Sequence, residues 1–235
     1  MIRAKSSNRR LGYLRGNRMP EIKQPVRVAV NVMRARQTVI GFNIAIVSFQ
    51  IVQLYRAAGG ISVQGFDHQI HVRADIALYM SLALSLIALL AMTMSSLMDE
   101  VGVCTHWSLV VGDVLMYLAL AYTVSGFFSP LEESMRLFTA NLPDQAAQAV
   151  ILQKSVLVTA GIAWFLAMYI GPIASLLRSP FPDRINITLG VAYLAVLFVL
   201  AWINAQAGLV ESASLGKSAG LSGTVLKELV QPLFW

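Results

Sequence analysis

Apolar and polar residues separate along this chain into long blocks. Five blocks carry almost no charge, at about 38–55, 76–98, 107–128, 155–177 and 186–206. Uncharged runs of about 18 residues or more predict helices that cross the ~30 Å hydrocarbon layer of a bilayer. Alternating segments of about 10 residues, the mark of a membrane β-barrel, do not occur. The expected fold is all-α, a polytopic integral membrane helix bundle of about five transmembrane helices.

The polar text between the blocks divides the chain further. Residues 1–24 are basic and broken by Gly and Pro, and predict a flexible arm. Residues 25–37, "PVRVAVNVMRARQ", place Val26, Ala29, Val30 and Met33 on one apolar stripe, with Lys23, Arg27, Asn31 and Arg34 opposite. That pattern predicts an amphipathic helix lying on the membrane surface. The bundle then occupies 38–206. The remainder, 207–235, is an amphipathic tail ending "VLKELVQPLFW", expected to lie on the outer surface or to cover a partner. Its Gly and Ser content argues against a sixth span.

Composition excludes the soluble alternative. The chain is 57% hydrophobic and 13% charged, whereas soluble domains are about 45–50% apolar and about 25% charged. The single Cys104 excludes an internal disulfide. The net charge of +6 is uneven: residues 1–36 hold ten Lys or Arg against one acid, Glu21. Under the positive-inside rule this places the N-terminus in the cytoplasm. Residues 56–75 then fall outside, 99–106 inside, the acidic loop with Glu132, Glu133 and Asp144 outside, and the turn with Arg178 and Arg184 inside. The C-terminus emerges outside. The first span, with Asn43, Gln50 and Gln53, reads as retained rather than cleaved. The expected setting is a bacterial cytoplasmic (inner) membrane. Anionic lipid headgroups are the expected partner of the basic arm. Nucleic acid is not expected, because Tyr13 is the arm's one residue for base stacking.

The fourth block carries a packing pattern. Ser155, Thr159, Ala163, Ala167, Gly171 and Ser175 recur at every fourth position, and all are small. Such stripes let helix backbones approach closely in lipid. Either this helix is the central strut of the bundle or it faces a second copy, with Ser81 and Ser85 as a matching surface. Trp164, Phe165, Met168 and Ile162 fall opposite, suited to lipid or looser packing. The helix is expected to run from 142 to 177, about 54 Å at 1.5 Å per residue, so that about three turns stand above the membrane. Pro172 lacks an N–H and should free the carbonyl of Met168.

Candidate chemistry is sparse. Asp113 lies inside the third block, where a charged acid costs about 2.5–3.5 kcal/mol to insert. It should therefore face the bundle. Asn43, Thr93 and the Pro172 break fall at similar depth and Tyr117 one turn on, so that Asp113, Asn43, Thr93, Tyr117 and Pro172 form a candidate cation or proton site. Lys154 fails as a partner on depth. In "FDHQIHVRAD", a helix would stack Asp67, His71 and Asp75 with His68 beside them, a candidate metal site. No nucleophile elbow, H-E-x-x-H, P-loop or dinucleotide fingerprint is present, and no His lies deep in a span for haem ligation. Two functions are consistent with these features. One is a non-catalytic subunit of a homo- or hetero-oligomeric membrane complex. The other is a small ion channel or proton-coupled transporter using Asp113.

Overall fold

The computed structural model describes residues 30–56, 60–62, 69–98, 106–141, 146–214 and 220–234. The basic arm 1–24, residues 25–29, Asp67, His68, Asp144 and Trp235 lie outside them. The described chain is helical: α1 (Val30–Leu54), α2 (Val72–Met98), α3 (Ser108–Asn141), α4 (Ala146–Phe165), a π-turn (Leu166–Ile170), α5 (Gly171–Leu177), α6 (Asp183–Ser214), α7 (Leu221–Leu229) and a closing 3-10 turn (Gln231–Phe234). Five helical segments are long and apolar enough to cross a membrane: Val32–Leu54, Val72–Leu97, Ser108–Phe128, Ala147–Leu177 and Asp183–Ser214.

Three boundaries differ from those expected. Residues 30–37 continue without interruption into the first span, because no Pro or Gly stands between Val30 and Ile40 to end a helix. The third helix runs through Pro130 to Asn141, so residues 129–141 form three further turns of helix rather than a loop. Asn141 is the last residue of α3, where its Nδ2 donates to the Leu137 carbonyl at 2.8 Å. The fifth span extends to Ser214, two turns past the expected boundary at 206.

The centre of the bundle is an antiparallel seam between α2 and α3. Ala74, Ser81 and Ala88 recur every seventh residue on α2, all with 0–1% exposure. They face Gly126, Ala119 and Gly112 on α3. A methyl group on Gly126 would stand 2.6 Å from Leu78 and 3.4 Å from the Ala74 carbonyl; on Gly112, 2.7 Å from Met92 and 3.3 Å from the Ala88 carbonyl. Between them the Ser81 hydroxyl donates to the Ala119 carbonyl at 2.8 Å. A seven-residue repeat keeps two slightly supercoiled helices in register over their length. Onto this seam α1 lays Ile40, Val47 and Leu54, again seven apart and buried. On the other side Trp164, Met168, Tyr193 and Leu197 from α4, the π-turn and α6 close the core around Leu118 and Tyr122.

Along its first half the fourth helix departs from the orientation of a central strut. Its buried column is Ala160, Trp164, Met168 and Pro172, whereas Ser155, Thr159 and Ala163 are exposed. The lower half of the small-residue stripe does pack inward: Ala167 is buried and Gly171 lies under the Tyr117 ring, while Ser175 is half-buried. Trp164 and Met168, assigned to lipid or looser packing, are each 1% exposed. Trp164 can be buried because its indole N–H reaches Ser125 Oγ at 3.0 Å. The π-turn holds the buried column in line: the Gly171 N–H, beside a Pro172 that has none, bonds back to the Leu166 carbonyl, and the wider turn offsets the roughly 40° by which positions four apart drift on an α-helix. The Met168 carbonyl is not left free, since the Tyr193 hydroxyl donates to it.

Close packing at Gly171 generates a paired prediction. An added methyl would stand 2.5 Å from the Tyr117 ring, whereas at Gly41 nothing lies within 4 Å. Gly171→Ala should cost about 1–3 kcal/mol through overpacking. Gly41→Ala, in the same kind of helical backbone, should be neutral or stabilise by up to about 1 kcal/mol. Thermal unfolding of the two variants in lipid or detergent measures the contrast.

Candidate functional site

Asp113 stands on the second turn of α3, 4% exposed. Its partner is Arg36, on the second turn of α1: Nη2 lies 2.8 Å from Asp113 Oδ2. The Arg36 side chain is 29% exposed, so the pair sits at the edge of the bundle with the acid inward and the base reaching it from the rim. Asp113 Oδ1 is buried without a hydrogen-bond partner. Arg36 was not among the candidates. Its position was legible in principle, because Arg36, Ile40, Asn43 and Val47 fall at i, i+4, i+7 and i+11 on one face of a helix.

The other candidates do not gather at Asp113. Asn43 belongs to a closed polar knot on the seam. Its Nδ2 donates to Ser81 Oγ at 3.1 Å and to Ser85 Oγ at 2.9 Å, and its Oδ1 accepts from Thr123 Oγ1 at 2.8 Å. Thr123 is ten residues, about 15 Å, further along α3 than Asp113. Ser81 and Ser85 thus serve α1 and α3 rather than the fourth helix. Thr93 is exposed and bonds its own helix, at the Leu89 carbonyl, 2.8 Å away. Tyr117 covers Gly171, and the carbonyl beside Pro172 is taken by Tyr193. The five residues therefore occupy several separate environments, and only Asp113 keeps the character of a buried ion.

Of the metal candidates, His71 and Asp75 are described, at the start of α2. Residues 69–71 are extended, with Ile70 bridged to Ile61, and α2 begins only at Val72. His71 is the residue before the helix, its carbonyl accepting the Asp75 N–H at 2.8 Å. Gly60 makes this turn possible: its φ is +105°, and a methyl there would stand 2.9 Å from the Ile70 carbonyl and 3.2 Å from the His71 ring. Among the described residues no three His, Cys, Asp or Glu come together as a metal site.

A second buried ionic group, not anticipated from the sequence, lies at the end of the bundle opposite Asp113. Glu228 of α7 is 5% exposed. Arg73 Nη2 lies 2.7 Å from its Oε1, and Asn204 Nδ2 donates to its Oε2 at 2.6 Å. Burial pushes this carboxyl above its ordinary range, with Arg73 and Asn204 pulling the other way. Next to it, Gln231 accepts from Ser125 Oγ at 2.5 Å, and the Tyr169 hydroxyl donates to the Leu229 carbonyl. The tail is thereby fastened to α2, α3, the fourth helix and α6 of its own chain.

Two openings are lined by the described residues. A cleft of about 70 Å³ between α3 and α6 is lined by Val110, Val114, Leu118, Leu189, Tyr193 and Val196, small against the roughly 300–1,000 Å³ of ligand pockets. A wider groove of about 370 Å³ runs between the end of α3 and the start of α4, lined by Met135, Phe138, Gln148, Ala149 and Leu152. In comparisons with known protein families, curated proteins and solved structures, nothing matches this chain.

Two predictions test these ionic groups. Arg36→Met strands the Asp113 carboxylate. The loss should be about 2–3 kcal/mol, below the 3–5 kcal/mol of a fully buried pair because Arg36 is partly exposed. The double variant Arg36→Met/Asp113→Leu should recover most of it, as a double-mutant cycle by thermal unfolding would show. For Glu228, a carboxyl raised in the docked state binds its proton more tightly there than in the released state. Its contribution to docking is therefore full below the ordinary carboxylate range and declines as pH rises through the raised value. The melting temperature of the wild type relative to Glu228→Gln should accordingly increase on acidification from neutrality.

Proposed function

We propose that this chain is a non-catalytic subunit of an oligomeric membrane complex, built with copies of itself or with other membrane proteins. The observation that carries the proposal is the apolar surface of the α3–α4 arms. Beyond Phe128, where the third apolar segment ends, α3 continues for 13 residues to Asn141, about 20 Å at the helical rise. The fourth helical run is 31 residues long, against about 20 needed to cross a bilayer. Both arms therefore project past the hydrocarbon. On them Leu137, Phe138, Ile151 and Leu152 are 40–67% exposed around the groove. Contiguous apolar surface that lipid does not cover is the signature of a protein contact.

The exposed half of the small-residue stripe supports the same reading. Ser155, Thr159 and Ala163 follow directly from this groove, with the Ser155 and Thr159 hydroxyls turned back to their own helix carbonyls at 2.9 Å. A partner helix could approach that flat face closely. The basic N-terminus on the cytoplasmic side, held to anionic lipid, and a bacterial inner membrane complete the proposed setting.

A second reading, a proton-coupled transporter or small channel centred on Asp113, has one observation in its favour: Asp113 Oδ1 is buried and unpartnered. Against it, Arg36 already neutralises the acid, and Asn43 and Thr93 stand apart. Flux or proton uptake by reconstituted protein that disappears in Asp113→Asn would favour the transporter.

The subunit proposal is tested by the mass of the particle extracted gently with its lipid. A mass above that of one chain is expected, and Phe138→Glu/Ile151→Glu should reduce it to the protomer with no loss of helical content. A protomer mass in the wild type would overturn the proposal.

A further inference from the structure

The tail buries the wrong residues for a helix in water. Glu228 and Gln231 are 5% and 3% exposed, while Leu226, Leu233 and Phe234 are 66%, 69% and 57% exposed. An amphipathic helix on the wet surface of a protein turns its apolar face inward and its charges outward. Here the polarity is reversed.

The contacts of the inward groups set a depth. Ser125, which donates to Gln231, is three residues inside Phe128, the end of its apolar segment, about 4.5 Å by the helical rise. Gly161 and Trp164 of the fourth segment neighbour the same stretch, since a methyl on Gly161 would stand 3.2 Å from Pro232 and the Trp164 indole bonds Ser125. Trp164 is 13 residues from Leu177, the far end of that segment, about 20 Å across a layer of ~30 Å. The two helices, counted from opposite ends, thus place the contacts of Gln231 and Pro232 about 5–10 Å below one face of the hydrocarbon, while Glu228, held by Arg73 at the start of the second segment, sits at its rim.

Backbone at that depth needs its own partners, and several groups of the tail have them. The Leu229 carbonyl takes the Tyr169 hydroxyl, the Val230 N–H bonds to the Lys227 carbonyl at 3.2 Å, and the Leu233 N–H bonds to Val230 at 3.0 Å. Lys227, whose ammonium stands 5.5 Å over the Phe234 ring, has a stem long enough to carry its charge up to the headgroups. With nine residues, α7 extends about 13 Å and cannot cross a bilayer.

We propose that residues 220–234 dip into one leaflet and return no further, with Leu226, Leu233 and Phe234 against lipid acyl chains and Glu228 and Gln231 locked to the bundle. The occupant of the tail's outer face is lipid. The inference rests on the spanning of the bilayer by the five apolar segments, and not on the oligomeric state.

The test uses the full chain with Cys104→Ser, carrying single cysteines at Leu226, Leu233 or, as reference, Phe198, which is 58% exposed on α6. Each is labelled with a small fluorophore in phosphatidylcholine–phosphatidylglycerol vesicles. Quenching is then compared among nitroxides on the upper acyl chain, nitroxides on the headgroup, and aqueous iodide. The Leu226 and Leu233 probes should be quenched by acyl-chain nitroxide on the order of two-fold or more above headgroup nitroxide, and should be shielded from iodide. Quenching by iodide would put the tail in water, and protection from all three quenchers would put it under a protein partner. Either outcome overturns the proposal. The Phe198 probe separates the two failures: if it too escapes acyl-chain nitroxide, the spanning of the bilayer is at fault rather than the placement of the tail.

Discussion

The close antiparallel contact of α2 with α3 sets the rest of the bundle. In the membrane setting proposed here, helices gain nothing from hiding apolar side chains from one another, because the acyl chains are equally apolar. What remains is backbone proximity, with its dispersion and occasional hydrogen bonds. Ala74, Ser81 and Ala88 against Gly126, Ala119 and Gly112 provide it at three successive levels. Only that proximity lets a serine on one helix reach a backbone carbonyl on the next. It also places Ser81, Ser85 and Thr123 where a single asparagine from α1 satisfies all three.

The buried polar groups act as fasteners between helices. Asn43 joins α1 to α2 and α3; Arg36 and Asp113 join α1 to α3; Ser125, Trp164 and Gln231 join α3, α4 and the tail; Arg73, Asn204 and Glu228 join α2, α6 and α7. In each case the partner comes from a different element. A polar group in a low-dielectric interior that finds its partner on another helix adds specificity to a surface that dispersion alone would leave free to slide.

Length and charge made the five apolar helices legible, since few folds tolerate such runs otherwise. The inward turn of Asp113 was equally legible, from the cost of an acid in lipid. Its partner was not, because Arg36 belonged by composition to a surface segment; only its phase with Ile40, Asn43 and Val47 connects it to the buried face. The true packing repeat was also in the letters, but at an interval of seven and divided between two helices. The more conspicuous interval of four in the fourth helix packs inward only from Ala167 onward and leaves Ser155, Thr159 and Ala163 exposed. There Trp164 fills the core because Ser125 accepts its N–H. For the tail, periodicity separates its polar face from its apolar face. It does not say which of them meets the protein.

That last ambiguity has a consequence for how the bundle forms. The side chains that hold the tail, Arg73, Ser125, Tyr169 and Asn204, come from the start of α2, the third helix, the π-turn and the last span. No two of these elements alone offer Glu228 and Gln231 a complete set of partners. Docking therefore needs all of them in place. Without it the partly buried Arg73 lacks its carboxylate, an unfavourable state, while Ser125 keeps its bonds to Trp164 and the Ala121 carbonyl. Residues 220–234 consequently have a complete seat only where α2, α3, the π-turn and α6 are all in place.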